Sequence, residues 1–212
     1  MSESAGARQR LVEYLRQNNS QGAMSAAAIA AIGAVPRELF VPPAFAELAY
    51  ADEALQLAAG ATISAPSMVA VMVTAMEPTA GQRVLEVGAG SGYAAAVFAA
   101  AGATVTGVEI NPDLVERARV AVALAGAEAR VTLQAADGMA GWPAGAPYDR
   151  VVASASIEAV PVAWLEQVAP GGLILYPESR GEEWDLLVRL RRGDREWRRE
   201  EVQACKFVPI QH

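Results

Sequence analysis

The central part of the chain alternates between two hydrophobic patterns, and together they predict strands followed by helices. Short runs rich in β-branched residues are typical of strands and occur at residues 83–87, 104–109, 131–135, 149–153 and 173–176. Longer segments between them predict helices at residues 93–101, 112–124 and 160–168. Because strands that alternate with such helices form parallel sheets covered on both faces, residues 82–177 are predicted to be an α/β core.

The two ends of the chain show different patterns. Residues 1–80 are predicted to be a helical N-terminal segment, with helices at 8–17, 25–32 and 67–76. Residues 184–191 and 196–207 predict a hairpin, which would add antiparallel strands to one edge of the sheet and complete a C-terminal unit over 184–210. No repeat or low-complexity linker divides the chain, so a single domain over residues 1–212 with a seven-stranded, mainly parallel sheet is expected.

Composition limits the function classes that this fold could serve. The 212 residues are 53% hydrophobic, which is enough for a sizeable core. The formal net charge of -7 argues against nucleic acid or anionic lipid as partners, because both require a positive field. Apolar runs end well before 18 residues and no secretory signal is present, so the sequence predicts a cytoplasmic protein outside the membrane.

Two scarce residue types exclude further chemistry. Cys205 is the only cysteine and His212 the only histidine. An internal disulfide, a thiolate zinc site, a multi-histidine metal site and a Ser-His-Asp triad are therefore excluded, and no metal is expected.

The most informative stretch is a glycine-rich turn between a strand and a helix, which reads VLEVGAGSGY at residues 84–93. Glycines at Gly88, Gly90 and Gly92 let the backbone approach a ligand closely at a helix N-terminus. A dinucleotide fingerprint requires its third glycine at position 93, where Tyr93 stands. This spacing, and the acidic Glu86 two residues before Gly88, favour S-adenosylmethionine over a nicotinamide cofactor. A turn that binds no ligand is the alternative.

Two acidic positions follow the next strands. Glu109 stands at the end of the second predicted strand, where a carboxylate can accept hydrogen bonds from both hydroxyls of a ribose. Asp137 and Gly138 follow the third strand, where an adenine ring would lie. Each has a simpler interpretation, Glu109 as an exposed helix-capping acid and Asp137-Gly138 as a common turn. With the glycine turn, they make a cofactor site the favoured hypothesis.

With these residues, the chain resembles the protein-L-isoaspartate O-methyltransferases. The resemblance extends from about Val35 to Ile210. It rests on VPRELFVP at 35–42, AYAD at 49–52, GATISAP at 60–66, the glycine turn, PYD at 147–149, PGG at 170–172 and FVPI at 207–210. GATISAP is the most specific of these motifs. The resemblance implies a Rossmann-like, S-adenosylmethionine-dependent methyltransferase that methylates the free α-carboxylate of L-isoaspartyl residues in damaged proteins or peptides.

The resemblance also implies roles for individual residues. Ser64 would be the active-site serine, although its spacing before Pro66 alone predicts a helix N-cap. The cofactor would be held by the following residues: Thr62, Ile63, Glu86, Gly88, Ala89, Gly90, Gly92, Glu109, Ile110, Asp137 and Gly138. Ser67 and Ser156 would lie on the substrate side.

Departures from the family pattern also lie on the substrate side. Ser154-Ala155-Ser156 stands where the family has Thr or Gly and two alanines, Tyr176-Pro177-Glu178 predicts a bulkier and more acidic loop, and the chain stops at His212. They keep open a methyltransferase of the same fold that acts on aspartate of a dedicated peptide or on a small metabolite. A non-catalytic cofactor-binding protein is the alternative from another class.

Overall fold

The computed structural model describes residues 3–212, which form one main sheet with helices on both faces and a small two-stranded sheet. The strands in this range are β1 (Leu55–Gln56), β2 (Thr62–Ile63), β3 (Arg83–Val87), β4 (Thr104–Glu109), β5 (Val131–Ala135), β6 (Tyr148–Ala153), β7 (Val168–Ser179), β8 (Asp185–Arg192) and β9 (Trp197–Cys205). The α-helices are α1 (Glu3–Gln17), α2 (Ala26–Ala34), α3 (Pro66–Met76), α4 (Tyr93–Ala100), α5 (Pro112–Leu124) and α6 (Val162–Gln167).

Within residues 3–212 the main sheet has seven strands in the order β5-β4-β3-β6-β7-β8-β9. Neighbours from β5 to β7 run parallel, whereas β7, β8 and β9 pair antiparallel. The predicted fold class is confirmed: a mainly parallel α/β sheet with antiparallel C-terminal strands. The strand order reverses at β3, next to β6, and such a switch point opens a crevice at the carboxyl ends of the strands.

Local sequence explains the elements that frame this crevice. Val84 to Val87 in β3 are all buried, as expected for a central strand covered on both faces. Helix α5 begins where Asn111 caps it, since its side chain accepts the N–H groups of Asp113 and Leu114, and Pro112 occupies the first turn.

The apolar residues form two cores, one on each face of the sheet. The larger core joins helices α1 to α5 to the sheet and includes the buried Phe98 and Met72. The smaller core lies on the other face and includes Trp164 of α6 and Tyr148 of β6. Among the helices of residues 3–212, none is long and apolar enough to cross a membrane.

Several segments differ from their sequence predictions, among them helix α1, which begins at Glu3 and not at residue 8. The N-terminal segment is mainly helical, but it also contains the antiparallel pair β1 and β2, whose two-residue strands are too short to show a period. Helix α6 is shorter than predicted, because its last residues pass directly into β7. Strand β7 reaches Ser179, so Tyr176-Pro177-Glu178 is strand and not the predicted loop.

Candidate active site

The glycine turn lies at the carboxyl end of β3 and is anchored to β4. The N–H groups of Gly88 and Ala89 both donate to the carbonyl of Val108, at 2.8 and 3.1 Å. Gly88, Gly90 and Gly92 have φ angles of 75°, 53° and 80°, a region in which a side chain would be strained. The turn therefore holds its backbone against the crevice in a conformation that these glycines make possible.

Glu109, the last residue of β4, connects the glycine turn to helix α5. Its Oε2 accepts the Gly90 N–H at 2.9 Å, and its Oε1 accepts the Asn111 N–H at 3.0 Å. The side chain is only 9% exposed, so the alternative of an exposed capping acid is wrong. Each carboxylate oxygen keeps a second lone pair for a ligand hydroxyl.

The turn after β5 packs tightly against β3. A Cβ on Gly138 would lie 2.4 Å from Cγ1 of Val87, so no larger residue fits without a shift of the strand. The Trp164 indole N–H donates to the Gly138 carbonyl at 2.8 Å, and the Asp137 carboxylate accepts the Met139 N–H at 2.9 Å. The Asp137 side chain therefore shapes the turn, while Gly138 forms part of the crevice wall.

Strand β2 and the residues after it cover the crevice from the N-terminal side. Arg37, which is fully buried, donates through Nη1 to the Ser64 carbonyl at 2.8 Å and through Nη2 to the Glu53 carbonyl at 3.2 Å. Its guanidinium also lies 4.7 Å from the ring centre of Tyr93 in α4. Arg37 thus fixes the backbone of the GATISAP segment over the start of α4.

The N-terminus of α3 follows this segment. The N-cap residue is Ala65, which makes no side-chain capping bond, so the N-cap alternative for Ser64 is wrong. The backbone N–H of Ser67 donates to Asp52 Oδ1 at 2.8 Å. A carboxylate of this chain therefore already occupies the positive helix end at that N–H, and a substrate carboxylate would have to bind elsewhere on the Ser64 segment.

Two adjacent cavities, which share part of their walls, lie at this site. The first, here called the cofactor cleft, has an empty volume of about 580 Å³ and includes Gly90, Glu109, Ile110 and Gly138 in its wall. The second, here called the inner pocket, has an empty volume of about 260 Å³. Its wall is formed by Thr62, Ile63, Ser64, Val69, Glu86, Gly88, Ala89, Ser91, Tyr93, Ala94 and Ser154. Thr62, Gly88 and Ser154 line both cavities.

Glu86 is the most perturbed acid of the inner pocket. It is completely buried, and this desolvation raises the pKa of its carboxyl to about 8, although a hydrogen bond from Ser154 opposes the shift. Ser154 Oγ donates to Glu86 Oε1 at 2.8 Å, whereas Oε2 has no hydrogen-bond partner in residues 3–212. The pocket therefore contains a buried carboxyl oxygen that is available to a ligand.

The C-terminal residues of the chain also form part of the cofactor cleft. Val208, Pro209, Ile210 and Gln211, here called the C-terminal strap, lie along its wall. None of them was predicted to lie in the site, since they stand about 70 residues beyond Gly138, the last predicted cofactor residue. The FVPI motif was the only signal that could have indicated them.

Several contacts hold the strap in place. Ser156 pairs with it through two backbone hydrogen bonds of 2.9 Å, from Ser156 N–H to the Val208 carbonyl and from Ile210 N–H to the Ser156 carbonyl. The buried Asp185 accepts the Phe207 N–H at 2.8 Å. Gln211 reaches across the cleft to the Ala59 carbonyl at 3.2 Å.

The departures on the substrate side also have structural contacts. Ser156 is buried, and its Oγ lies 3.5 Å from the Val208 carbonyl. Glu178 forms ion pairs with Arg199, at 2.9 Å, and with Arg180. Ser156 thus contacts the strap, and Glu178 pairs with Arg199 of β9.

The structure brings most of the predicted site residues together. Thr62, Gly88, Gly90, Glu109, Ile110 and Gly138 line the cofactor cleft, and Ile63, Ser64, Glu86 and Ala89 line the inner pocket. Gly92, Asp137 and Ser67 support the site through backbone geometry or hydrogen bonds. Ser156 lines a separate open groove beside the strap.

Comparisons with known proteins identify relatives of this chain. The sequence model of the family described as Protein-L-isoaspartate(D-aspartate) O-methyltransferase matches residues 6–212. The Protein-L-isoaspartate O-methyltransferase of Methylorubrum populi is 43% identical over 204 residues, which cover 96% of this chain and 94% of the relative. Protein-L-isoaspartate O-methyltransferase 2 of Anaeromyxobacter sp. is 41% identical over 203 residues, covering 96% of this chain and 82% of that protein.

Solved structures show the same fold. A protein-L-isoaspartate O-methyltransferase structure superposes with a TM-score of 0.84 at 26% identity, covering 97% of this chain and 66% of that chain. A structure from Plasmodium falciparum in complex with S-adenosyl-L-homocysteine has a TM-score of 0.80 at 20% identity, covering 96% of this chain and 98% of the other. At that identity, the second likeness concerns the fold alone.

Proposed function

The chain belongs to the protein-L-isoaspartate(D-aspartate) O-methyltransferase family, and on this basis we propose which of its residues carry the reaction. It is an S-adenosylmethionine-dependent methyltransferase that acts on the free α-carboxylate of L-isoaspartyl residues in damaged proteins or peptides. The methyl ester collapses to a succinimide, which hydrolyses partly to normal aspartate. The activity is therefore a repair of the protein backbone.

The residues of the two cavities fit this cofactor. A buried carboxylate oxygen of Glu86 without a partner suits an ammonium group, and Glu109 presents lone pairs that suit two hydroxyls. Gly138 lies in the wall of the cofactor cleft, where a residue without a side chain suits the approach of a ring. When bound, S-adenosylmethionine supplies an electrophilic methyl group on a positively charged sulfur.

Different residues of the cofactor cleft contact different parts of the cofactor. Glu109 accepts from the ribose hydroxyls while its own bonds keep Gly90 and Asn111 in place, and Ile110 covers the same region. Gly138 forms the wall for the adenine, and Asp137 keeps the turn in shape. Gly88, Ala89 and Gly92 keep the backbone of the glycine turn close enough to contact the cofactor.

The inner pocket is where we place the methyl acceptor. Ser64 lies there with Thr62 and Ile63, on backbone that Arg37 fixes through the Ser64 carbonyl. Its hydroxyl donates to the substrate carboxylate and orients it. Ser67 supports this segment through Asp52, and Ser156 supports the strap beside the route by which a peptide enters.

This reaction requires little acid–base chemistry from the protein. A substrate carboxylate with an ordinary pKa is already ionised at pH 7, so no general base is needed. The protein must still position the reactants and exclude water from them. Correct placement of two reactants can lower the activation barrier by about 7–11 kcal/mol, which corresponds to a high effective molarity. The buried apolar residues Ile63 and Val69 of the inner pocket exclude water from the acceptor.

We further propose that the protein acts in the cytoplasm, without a metal and without a nucleic-acid partner. The net charge of -7 supports the last point, because a phosphate backbone would be repelled. Ser156 and Glu178 had motivated an altered substrate. Since both have structural partners in the strap and in β9, they supply no specific reason to favour that alternative.

The observation that supports this function best is that the glycine turn, Glu109 and the Ser64 segment meet around two adjacent cavities. The test uses radiolabelled S-adenosylmethionine and two peptides that differ only in Asp or isoAsp, and counts base-labile methyl ester. Label on the isoAsp peptide alone is expected. Label on the Asp peptide would indicate a dedicated substrate, and label on neither would point to another acceptor.

A further inference from the structure

The inner pocket contains one buried acid whose two oxygens differ in their surroundings. Glu86 is the next-to-last residue of β3 and has no exposed surface. Its Oε1 accepts a hydrogen bond from Ser154, whereas Oε2 has no partner among residues 3–212. Because an unpaired buried carboxylate oxygen is costly, this arrangement suggests that a ligand completes it.

The fold fixes the Ser154 hydroxyl in relation to Glu86. Strands β3 and β6 are parallel neighbours, and Glu86 stands opposite Val152 in their register. Ser154 follows the last residue of β6, and its backbone N–H donates to the Val87 carbonyl at 2.8 Å. The residue that carries this hydroxyl is therefore itself bonded to β3 through its backbone.

Charged and polar groups surround Glu86 on three sides. Glu109 on β4 raises the pKa of Glu86 by repulsion, whereas the Ala95 N–H in the first turn of α4 lowers it. Tyr93 on α4 lines the same pocket, and burial raises the pKa of its hydroxyl to about 12, so it stays neutral. Arg37 stacks on Tyr93 from the N-terminal segment, with its guanidinium bonded to backbone carbonyls.

We propose that Ser154 is a positioning residue that keeps Glu86 Oε2 in the inner pocket, where the α-ammonium group of the cofactor displaces a proton from Glu86 on binding. The inference rests on the proposed function, because it takes S-adenosylmethionine as the ligand. In this step the O–H bond of the carboxylic acid breaks, the electron pair stays on Oε2, and the proton passes to the buffer. The carboxylate then pairs with the ammonium group.

This exchange couples cofactor binding to pH. Without cofactor, burial keeps Glu86 protonated at pH 7, because its pKa is about 8. A cation beside the carboxylate lowers that pKa, so binding releases a proton. The affinity therefore rises with pH, by up to about tenfold per unit, until the pH exceeds the pKa of the free protein.

The first experiment measures protons released on binding. S-adenosylhomocysteine is titrated calorimetrically into the protein at pH 7, in buffers with different ionisation enthalpies. We expect close to one proton released by the wild type, and much less with an analogue that lacks the α-amino group. Because the amine of the ligand itself titrates, Glu86→Gln shows what pH dependence belongs to the ligand alone.

The second experiment tests the positioning role of Ser154. Ser154→Ala is expected to weaken cofactor binding about tenfold at pH 7, the value of one hydrogen bond to a charged acceptor, and by less at pH 9. The midpoint of the affinity–pH curve should move to higher pH, because the hydrogen bond that favours the ionised form is lost. Ser154→Thr keeps the hydroxyl and should restore both values. Thr132→Ala, an equivalent change on exposed β5, should alter neither.

Each outcome distinguishes this inference from the proposed function. Binding without proton release, or a Ser154→Ala variant with the affinity and pH midpoint of the wild type, would overturn the inference and leave the methyltransferase assignment intact. Failure of the wild type to bind S-adenosylhomocysteine at any pH would instead contradict the proposed cofactor site.

Discussion

The buried guanidinium of Arg37 donates to the backbone carbonyl of Ser64 at 2.8 Å, across 27 positions of sequence. The position of the proposed acceptor serine is thus set through its backbone, by a residue that does not line either cavity.

Replacing Arg37 should therefore affect both stability and turnover. Arg37→Met removes the donors to Ser64 and Glu53 and leaves two carbonyls without a partner. We expect the free energy of unfolding to fall by about 2–4 kcal/mol, as two bonds from a charged donor are lost. The turnover number should fall more than the cofactor affinity. Urea denaturation and steady-state kinetics measure the two effects.

Arg130→Met is the matched control for that change. Arg130 also donates to a carbonyl, that of Gly102 at 3.1 Å, but it is exposed and distant from the cleft. Arg130→Met should lower the free energy of unfolding by less than about 1 kcal/mol and leave the kinetics unchanged. Equal losses in both variants would show that the Arg37 contact has no particular role in positioning Ser64.

Ser64→Ala tests the acceptor role itself. The change removes a hydroxyl from the inner pocket and leaves the backbone bond to Arg37 in place. We expect the turnover number to fall by about 10- to 100-fold, the value of one hydrogen bond to a carboxylate, while cofactor affinity is nearly kept. Ser25→Ala, which removes the cap of α2, should lower stability by about 1 kcal/mol without this loss of turnover. Full turnover in Ser64→Ala would show that the serine lines the pocket without acting on the substrate carboxylate.

Glu109→Ala should have the opposite kinetic signature. It removes the acceptor proposed for the ribose and also releases the Gly90 and Asn111 N–H groups. The dissociation constant of S-adenosylhomocysteine is expected to rise by about 10- to 100-fold, with a smaller effect on turnover at saturating cofactor. A variant with unchanged affinity would place the ribose elsewhere.

The sequence was sufficient to predict the elements that local chemistry defines. The bounds of β3, β4, β5 and α5 agree with the prediction, because glycine, proline and asparagine mark their ends and their apolar period is regular. Strand β7 was predicted too short, because Pro170-Gly171-Gly172 is typical of a turn although the chain here continues as strand.

The parts of the site that the sequence did not predict depend on contacts between residues that are distant in the chain. The strap joins the cleft through bonds between Ser156, Val208 and Ile210, and no local pattern indicates such a pairing. The contact between Arg37 and Ser64 is of the same kind. Motif resemblance placed the residues that line the site, whereas the residues that hold them became visible only in three dimensions.

Gly138→Ala tests whether close packing or backbone freedom requires this glycine. Its φ is not in the left-handed region, so the conflict is the 2.4 Å approach of a new Cβ to Val87 Cγ1. We expect a loss of about 1–3 kcal/mol in the free energy of unfolding from overpacking. Adding Val87→Ala should recover part of that loss, and a double-mutant cycle measures the coupling between the two positions.

Gly6→Ala is the control, because its Cβ would lie at an ordinary 3.5 Å from Arg10. This change should not lower the free energy of unfolding. Additive losses at Gly138 and Val87 would contradict a steric origin.

The buried Glu86 should also leave a signature in the pH dependence of stability without cofactor. Burial raises the pKa of Glu86 in the folded protein to about 8, from an ordinary value of 4.5. The folded state therefore binds the proton more tightly than the unfolded state does. Its stabilising contribution is fully present below the unfolded pKa and is lost as the pH rises through about 8.

Glu86→Gln has no proton to lose there, so its stability relative to the wild type should increase from about pH 5 to pH 8 and then level off. The slope cannot exceed that of one proton, about 1.4 kcal/mol per pH unit. Urea denaturation at five pH values between 5 and 9 measures it, with the exposed Glu128→Gln as a control that should follow the wild type. If Glu86→Gln and the wild type kept a constant difference across this range, Glu86 would be ionised in the folded protein throughout. The proton required for exchange with the cofactor would then be absent.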